Sequence, residues 1–299
     1  QPDKKSSTIP LMFTKFFQKY LFVLIFVFSI SVFLAHTLVT RNAIFADGKF
    51  YYAYARSWVF DQDINLKNDF KIFGIEPAIN NLGLTTNTFP PGVAILWFFP
   101  MWQVKQITSL FNFSTNGIEF IFQMSAALVN ISLGVLGVYL IYLLLKNQFG
   151  SNISKLTALA LFATTNLLFY IAVEPINSHA TSFFVSSVFV FYFLKNLKGL
   201  TPKKCLVLGL LAGFAGSVRP QDILLFLLPA IQISHLFKNG LKKLVTCYML
   251  LVTGLIVGFL PQIYLWKIFF NFYFPPPGWG YGFTLLNPKI IHVLFNSQN

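Results

Sequence analysis

The sequence predicts an all-α polytopic membrane protein: a transmembrane helix bundle with one large loop after its first helix. Three observations carry this. Of 299 residues, 56% are hydrophobic and only 10% are charged, where a soluble domain carries about a quarter charged residues. Long apolar runs recur at about 20–40, 118–145, 155–173, 180–195, 205–218, 223–237 and 244–268. Between them, lysines collect in every second loop.

The run from Tyr20 to Leu38 is long enough to span and has no small-residue cleavage site after it, so it is a first membrane helix rather than a removable signal. Lys4, Lys5, Lys15 and Lys19 precede it and set residues 1–19 as a cytoplasmic tail. Residues 41–117 form the large outer loop. Within it, the apolar stretch 91–111 is cut by Pro90, Pro91 and Pro100. If 91–111 crossed the membrane, the lysines at 146 and 155, at 195, 198, 203 and 204, and at 238, 242 and 243 would all face outward. The positive-inside rule therefore predicts an interfacial or re-entrant segment and seven spanning helices. Residues 118–268 form the bundle. Its runs 205–218 and 223–237 are short against the roughly 20 residues of a normal span. Residues 269–299 return to the outer side. The chain starts at Gln1 and stops at "FNSQN" in mid-pattern, so a fragment truncated at both ends is expected. Hydropathy shows no internal repeat, which counts against a transporter built from inverted halves.

In this scheme thirteen basic residues face one acid, Asp3, on the inner side, and nine basic residues face eight acids on the outer side. Positive charge inside follows from insertion alone. Acids gathered outside do not, because Asp and Glu contribute little to orientation. The outer face is therefore the expected working face, and the net charge of +13 reflects orientation in the membrane rather than a nucleic-acid partner. Cys205 and Cys247 both lie in apolar runs, which argues against a disulfide framework or a zinc site. No P-loop, dinucleotide fingerprint or metal-binding His pair appears.

The stretch "DGKFYYAYARSWVFDQDINLKNDF", from Asp47 to Phe70, holds four of the nine acids. Asp47, Tyr51, Tyr54 and Trp58 recur at i, i+4, i+7 and i+11, one face of a helix, which suits a helix lying along the membrane interface. Asp47 is then either the N-cap of that helix or a carboxylate general base at the membrane–water boundary. Asp61, Asp63, Asn65 and Asp69 could offer oxygens to a divalent cation, although the Gly and terminal Glu of a calcium loop are missing, and a solvated turn fits the same residues. "EPINSHATSFF" clusters Glu174, Asn177, Ser178 and His179 at the outer interface. In "SVRPQD", Arg219 is the only basic residue between Lys204 and Lys238. Its partner is either Asp222 or a phosphate, which Arg matches bidentately. The C-terminal "GWGYGFTLLNPKIIHVLF", with Asn287, is a loop whose aromatics could line a sugar site.

The order of a first helix, "DGKFYYAYARSWVFDQD", "FPPG", "EPINSHATSFF" and "SVRPQD", over residues 17–295, resembles bacterial GT-C glycosyltransferases. These are the polyprenyl-phosphate-sugar-dependent enzymes related to protein O-mannosyltransferases and lipid A aminoarabinose transferases. The resemblance implies a GT-C-like helix bundle in a bacterial inner membrane, with its site facing the periplasm or cell exterior. It implies Asp47 as the catalytic base and Arg219 on the donor phosphate. His179, Glu174, Tyr51, Asp61 and Asp63 would line the substrate site. The partners would be a polyprenyl-phosphate-linked sugar donor and a glycan, lipid or protein acceptor. Gly92 stands where related enzymes have an apolar residue after Pro-Pro, and Glu174–His179 replaces a common Leu-Asp pair. A lipid-linked sugar translocase or other transporter is the alternative, and a structural subunit of an envelope assembly a third. Acids confined to one face favour the enzyme over a transporter, which needs ionisable groups at mid-membrane depth.

Overall fold

The computed structural model describes residues 8–236 and 240–274, with the side chains of residues 8–18 and 236 outside that description. The C-terminal loop with Asn287 also lies outside it. The chain is helical apart from one small hairpin. In order, α1 is Thr8–Thr40, α2 Gly48–Arg56, α3 Lys67–Phe73, α4 Gly92–Leu110, α5 Phe120–Thr164, α6 Ser178–Asn196, α7 Pro202–Val218, α8 Leu227–Leu236 and α9 Leu241–Phe270. Strands β1 (Ala78–Ile79) and β2 (Thr85–Thr86) pair antiparallel within the large loop. Among the described residues three stretches are long and apolar enough to cross a membrane: Lys19–Thr40, Phe120–Thr164 and Leu241–Phe270.

Several boundaries differ from expectation. Residues 8–19, read as a tail, already belong to α1. The runs 118–145 and 155–173 do stay separate: α5 is two helices meeting at Gly150, whose φ of 77° and ψ of 166° turn the chain between them. A side chain is strained at that φ. The Tyr142 hydroxyl and Ser151 Oγ close the turn at 3.2 Å. After Thr165 the expected helix gives way to a π-helical turn, Phe169–Val173. The run 223–237 becomes a 3₁₀ segment, Pro220–Phe226, followed by α8.

The tightest pairing is between α7 and α9. A Cβ on Gly209 would stand 2.1 Å from the Leu251 carbonyl oxygen, and one on Gly213 2.2 Å from that of Leu255. The relation is reciprocal: Gly254 and Gly258 would meet the Leu206 and Leu210 oxygens at 2.3 and 2.4 Å. Two G-x-x-x-G segments therefore cross backbone on backbone, the small-residue packing by which membrane helices approach closely without a hydrophobic driving force.

The outer part is fastened by polar side chains. Asn130, fully buried in α5, accepts from Trp97 Nε1 of α4 at 3.0 Å and from Thr181 Oγ1 of α6 at 2.7 Å. Its amide nitrogen donates to the carbonyls of Pro175 and Asn177, each at 2.6 Å. One amide thus uses both its donors and both lone pairs to join α4, α5, α6 and the loop between 174 and 177. Asn80, in the hairpin, donates to the Ile268 and Phe269 carbonyls at the end of α9.

Two outcomes follow. Gly254→Val forces a branched side chain into the Leu206 backbone and should lower stability by roughly 2 kcal/mol or more. Gly199→Ala, whose Cβ would find only Lys204 Nζ at 3.9 Å, should leave it unchanged. Asn130→Leu strands two buried donors and two carbonyls, and at about 1–3 kcal/mol per stranded group it should cost at least as much as the glycine change. Thermal unfolding of the detergent-solubilised chain reads both.

Candidate functional site

Four separate sequence segments meet at one place. Gly48 lies so close to the loop before α6 that a Cβ there would stand 2.2 Å from the Ile176 carbonyl oxygen. Gly92, at the start of α4, would meet the Ser217 oxygen at 2.5 Å. The "DG", "FPPG", "EPINSH" and "SVRPQD" segments are therefore in backbone contact, pair by pair.

Asp47 stands immediately before α2. It is exposed, and its carboxylate makes no capping hydrogen bond. Asp47 thus holds the N-cap position without capping, and its carboxylate makes no hydrogen bond or ion pair among the described residues. Tyr51, one turn on, is buried beside Ser178. Burial pushes its hydroxyl up to about 12, with Ser178 and the Arg219 charge pulling it down and Asp47 adding to the rise. Asp47, Tyr51, Ser178 and Arg219 therefore share one electrostatic neighbourhood.

The aromatic stripe of α2 does not face lipid, as its spacing suggested. Tyr51, Tyr52 and Tyr54 are all buried within the protein. Tyr54 donates to the Asn87 and Phe89 carbonyls, and Phe89 stacks on Phe50 with centroids 4.4 Å apart. This holds the segment leading into Pro90 and Pro91. The period of an interfacial helix and that of a helix buried on both sides are the same, and only the neighbours tell them apart.

Arg219 does not pair with Asp222. Its Nη1 lies 2.6 Å from His179 Nδ1. With its amide oxygen turned inward, Gln221 accepts from Arg219 Nε at 2.8 Å and Nη2 at 3.0 Å. Asp222 instead accepts from Ser182 Oγ at 2.5 Å. Because a guanidinium only donates, His179 Nδ1 must accept, so the imidazole is neutral and carries its proton on Nε2. Tyr170 stacks on its face at 3.6 Å and 10°. Among the described residues two of the Arg219 N–H groups have no acceptor and no carboxylate is in contact with the guanidinium, although Asp222 lies close enough to feel its charge. Gln221 and Tyr170 were missed in the sequence; Gln221 lies inside the quoted "SVRPQD", but nothing in its spacing marked it.

Glu174 is half-buried at the end of the π-helical turn. Burial raises its pKa, and His36 near the outer end of α1 acts against the rise. His36 was not singled out in the sequence. Asp61 and Asp63 stand apart from this group. Asp61 and Asp69 both pair with Arg56 Nη1 at 2.7 Å, and Asp63 accepts from Ser57 Oγ at 2.8 Å and the Asn65 amide at 3.1 Å. Their oxygens serve the turn after α2. Among the described residues no His, Cys, Asp and Glu cluster is arranged to hold a metal ion.

The Arg56 cluster has a pH consequence. Asp69 is wholly buried, and burial pushes its pKa up to about 6 although Arg56 pulls it back. A carboxyl raised in the folded state binds more protons folded than unfolded, so its contribution to stability is present below the unfolded value and lost as pH rises through the folded one. Acidifying from about pH 7.5 to about pH 5 should raise the unfolding temperature of the wild-type chain more than that of Asp69→Asn. Equal slopes would show that Asp69 ionises normally.

Compared with family models, curated proteins and solved structures, the chain has no match.

Proposed function

We propose that the chain is an integral membrane glycosyltransferase, moving a sugar from a polyprenyl-phosphate-linked donor to an acceptor at the outer face. The observation that carries this reading is an exposed carboxylate, Asp47, with no capping hydrogen bond, near a guanidinium, Arg219, that has no carboxylate in contact among the described residues. Tyr51, hydrogen-bonded to Ser178, feels the charges of both. Transfer of a glycosyl group from a lipid phosphate needs these two charges. A base takes the proton of the acceptor hydroxyl as its oxygen attacks the anomeric carbon. A cation stabilises the phosphate as the bond from that carbon to the phosphate oxygen breaks and the oxygen keeps the electron pair. Attack from the side opposite the leaving group inverts the anomeric carbon. The His179 Nε2–H and the two free N–H groups of Arg219 are donors for the phosphate oxygens.

The packing of α4 supports an outer position for this site. Trp97 is level with Asn130, and residues 100–107 of α4 share a cleft with 125–133 of α5, so α4 lies along the first part of α5 only. Eighteen residues of α5 lie between Asn130 and Phe149, a rise of about 28 Å from one to the other, a membrane thickness by itself. In this reading α4 belongs to the outer layer and does not cross.

Three outcomes test the proposal. Asp47→Asn should reduce sugar transfer in proteoliposomes by roughly a hundredfold or more while leaving the unfolding temperature unchanged. Near-normal turnover would remove Asp47 from the chemistry. Arg219→Lys should weaken donor binding, because an ammonium lacks the planar fork; unchanged affinity would make Arg219 a packing residue. Ser114→Cys, at an exposed position just beyond α4, should react with an impermeant maleimide from outside. The native Cys205 and Cys247 are buried and give little background. Labelling only after permeabilisation would place the far end of α4 on the inner side and overturn the topology.

A further inference from the structure

The helices α7 and α9 run in the same direction. Gly209 packs on Leu251 and Gly213 on Leu255, so both climb together toward the end of α7 at Arg219. Their first turns therefore lie side by side at the end of the bundle away from Asp47 and Arg219. α6 leaves the site at Ser178 and ends at Asn196, which brings the 197–201 loop to the same end. Leu200 of that loop is buried with Cys205, Ile233 and Cys247, and the Leu197 carbonyl accepts from Gln232 Nε2 at 3.2 Å.

Lysines crowd this junction. Lys198 is in the loop, Lys203 and Lys204 are in the first turn of α7, and Lys242 and Lys243 are in that of α9. All but the half-buried Lys204 are exposed. Lys204 Nζ donates to the Gly199 carbonyl at 2.8 Å and so ties the loop to α7. No acid stands in the first turn of either helix, and cations placed there are repelled by the partial positive charge of the helix end. The wider surface adds to the imbalance. Lys19, Lys146, Lys155 and Lys195 belong to this end as well. The acids of the described residues, Asp47, Asp61, Asp63, Asp69, Glu76, Glu119, Glu174 and Asp222, lie in the large loop or at the site. Insertion does not require this, because carboxylates among the lysines would cost little orientation.

The same turns present hydrocarbon. Leu241, Val245 and Met249 of α9 are exposed beside the lysines, as is Leu194 near the end of α6. A ligand that fits offers anionic oxygen next to an acyl chain, a pairing that a soluble anion or a nucleic acid lacks. We infer that the junction of the 197–201 loop with the starts of α7 and α9 is a docking surface for an anionic phospholipid of the leaflet at this end. Its phosphate lies among Lys198, Lys203, Lys242 and Lys243, and an acyl chain runs along Leu241, Val245 and Met249. Basic clusters where membrane helices meet the surface recognise such headgroups by charge. The inference is independent of sugar transfer and needs only that the helices span a membrane.

The test titrates the purified full chain, in neutral detergent, with dioleoylphosphatidylglycerol or dioleoylphosphatidylcholine. Bound lipid is read by native mass spectrometry. The anionic lipid should bind at least about tenfold more tightly, a preference within what several lysines supply at an anionic surface. Combining Lys198→Gln, Lys203→Gln, Lys242→Gln and Lys243→Gln should abolish the preference. Lys204 stays, because it holds the loop. Without added lipid, the unfolding temperature of this variant should be no lower than that of the wild type, since repelling charges have been removed. If the variant does not fold, Lys203→Gln with Lys242→Gln carries the same comparison. Combining Lys19→Gln, Lys146→Gln, Lys155→Gln and Lys195→Gln removes equal charge from the same end and should keep the preference. Equal binding of the two lipids by the wild type would overturn the inference. Equal loss in both combined variants would do so as well, by showing a diffuse basic surface. Competition by glycerol 3-phosphate or a short oligonucleotide as strong as that by the lipid would overturn the assignment to a phospholipid.

Discussion

The part of the molecule around the loop at 174–177 depends on one side chain that cannot be left half-satisfied. Asn130 is fully buried at the meeting point of three helices, and an amide there is tolerable only if all four of its hydrogen-bonding capacities are used. They are, by partners on α4, α6 and the loop at Pro175 and Asn177. The two accepting carbonyls belong to that loop, so the amide fixes where it lies. Gly48 packs on the same loop at Ile176, so the position of Asp47 is inherited from a residue well inside the bundle.

A second constraint is electrostatic. The structure contains two arginines in half-buried or buried settings and treats them in opposite ways. Arg56 is given two carboxylates at 2.7 Å and becomes a fastening for the turn after α2. Arg219 is given neutral acceptors in contact, an imidazole nitrogen and an amide oxygen, while Asp222, which feels its charge, accepts its hydrogen bond from Ser182. Neutral acceptors orient a guanidinium without cancelling its charge. That difference in partners, more than sequence position, separates a structural arginine from one available to a ligand.

The apolar runs made most of the helical content legible, because membrane helices must satisfy their backbone internally and so announce themselves by length and composition. Hydropathy separated the two halves of α5, because the polar stretch 146–155 around Gly150 interrupts the apolar runs, but it could not show the π-helical turn after Thr165, which lies within apolar sequence. The segments around Asp47, His179 and Arg219 could be marked by residue type. That they meet was not readable, because the contacts joining them are backbone to backbone, through Gly48 and Gly92. The acids of "DQDINLKND" left two readings open in the sequence, a cation site and a turn; what spacing could not show is that they close the turn around a buried Arg56. The glycines of α7 and α9 were in plain view as two G-x-x-x-G segments, but only their reciprocal approach gives them meaning.

That crossing has a geometric corollary for the residue at its end. Where two helices touch through side chains, small slides are absorbed by rotamer changes. Where they touch through backbone, the next favourable register is a whole repeat away, four residues or about 6 Å. Arg219 follows directly on the last residue of α7, so its position along the helix axis is set in steps rather than continuously. One step would take its guanidinium clear of His179. The α7–α9 pair therefore works as an indexed mount, and adjustment at the site has to come from the other elements around it.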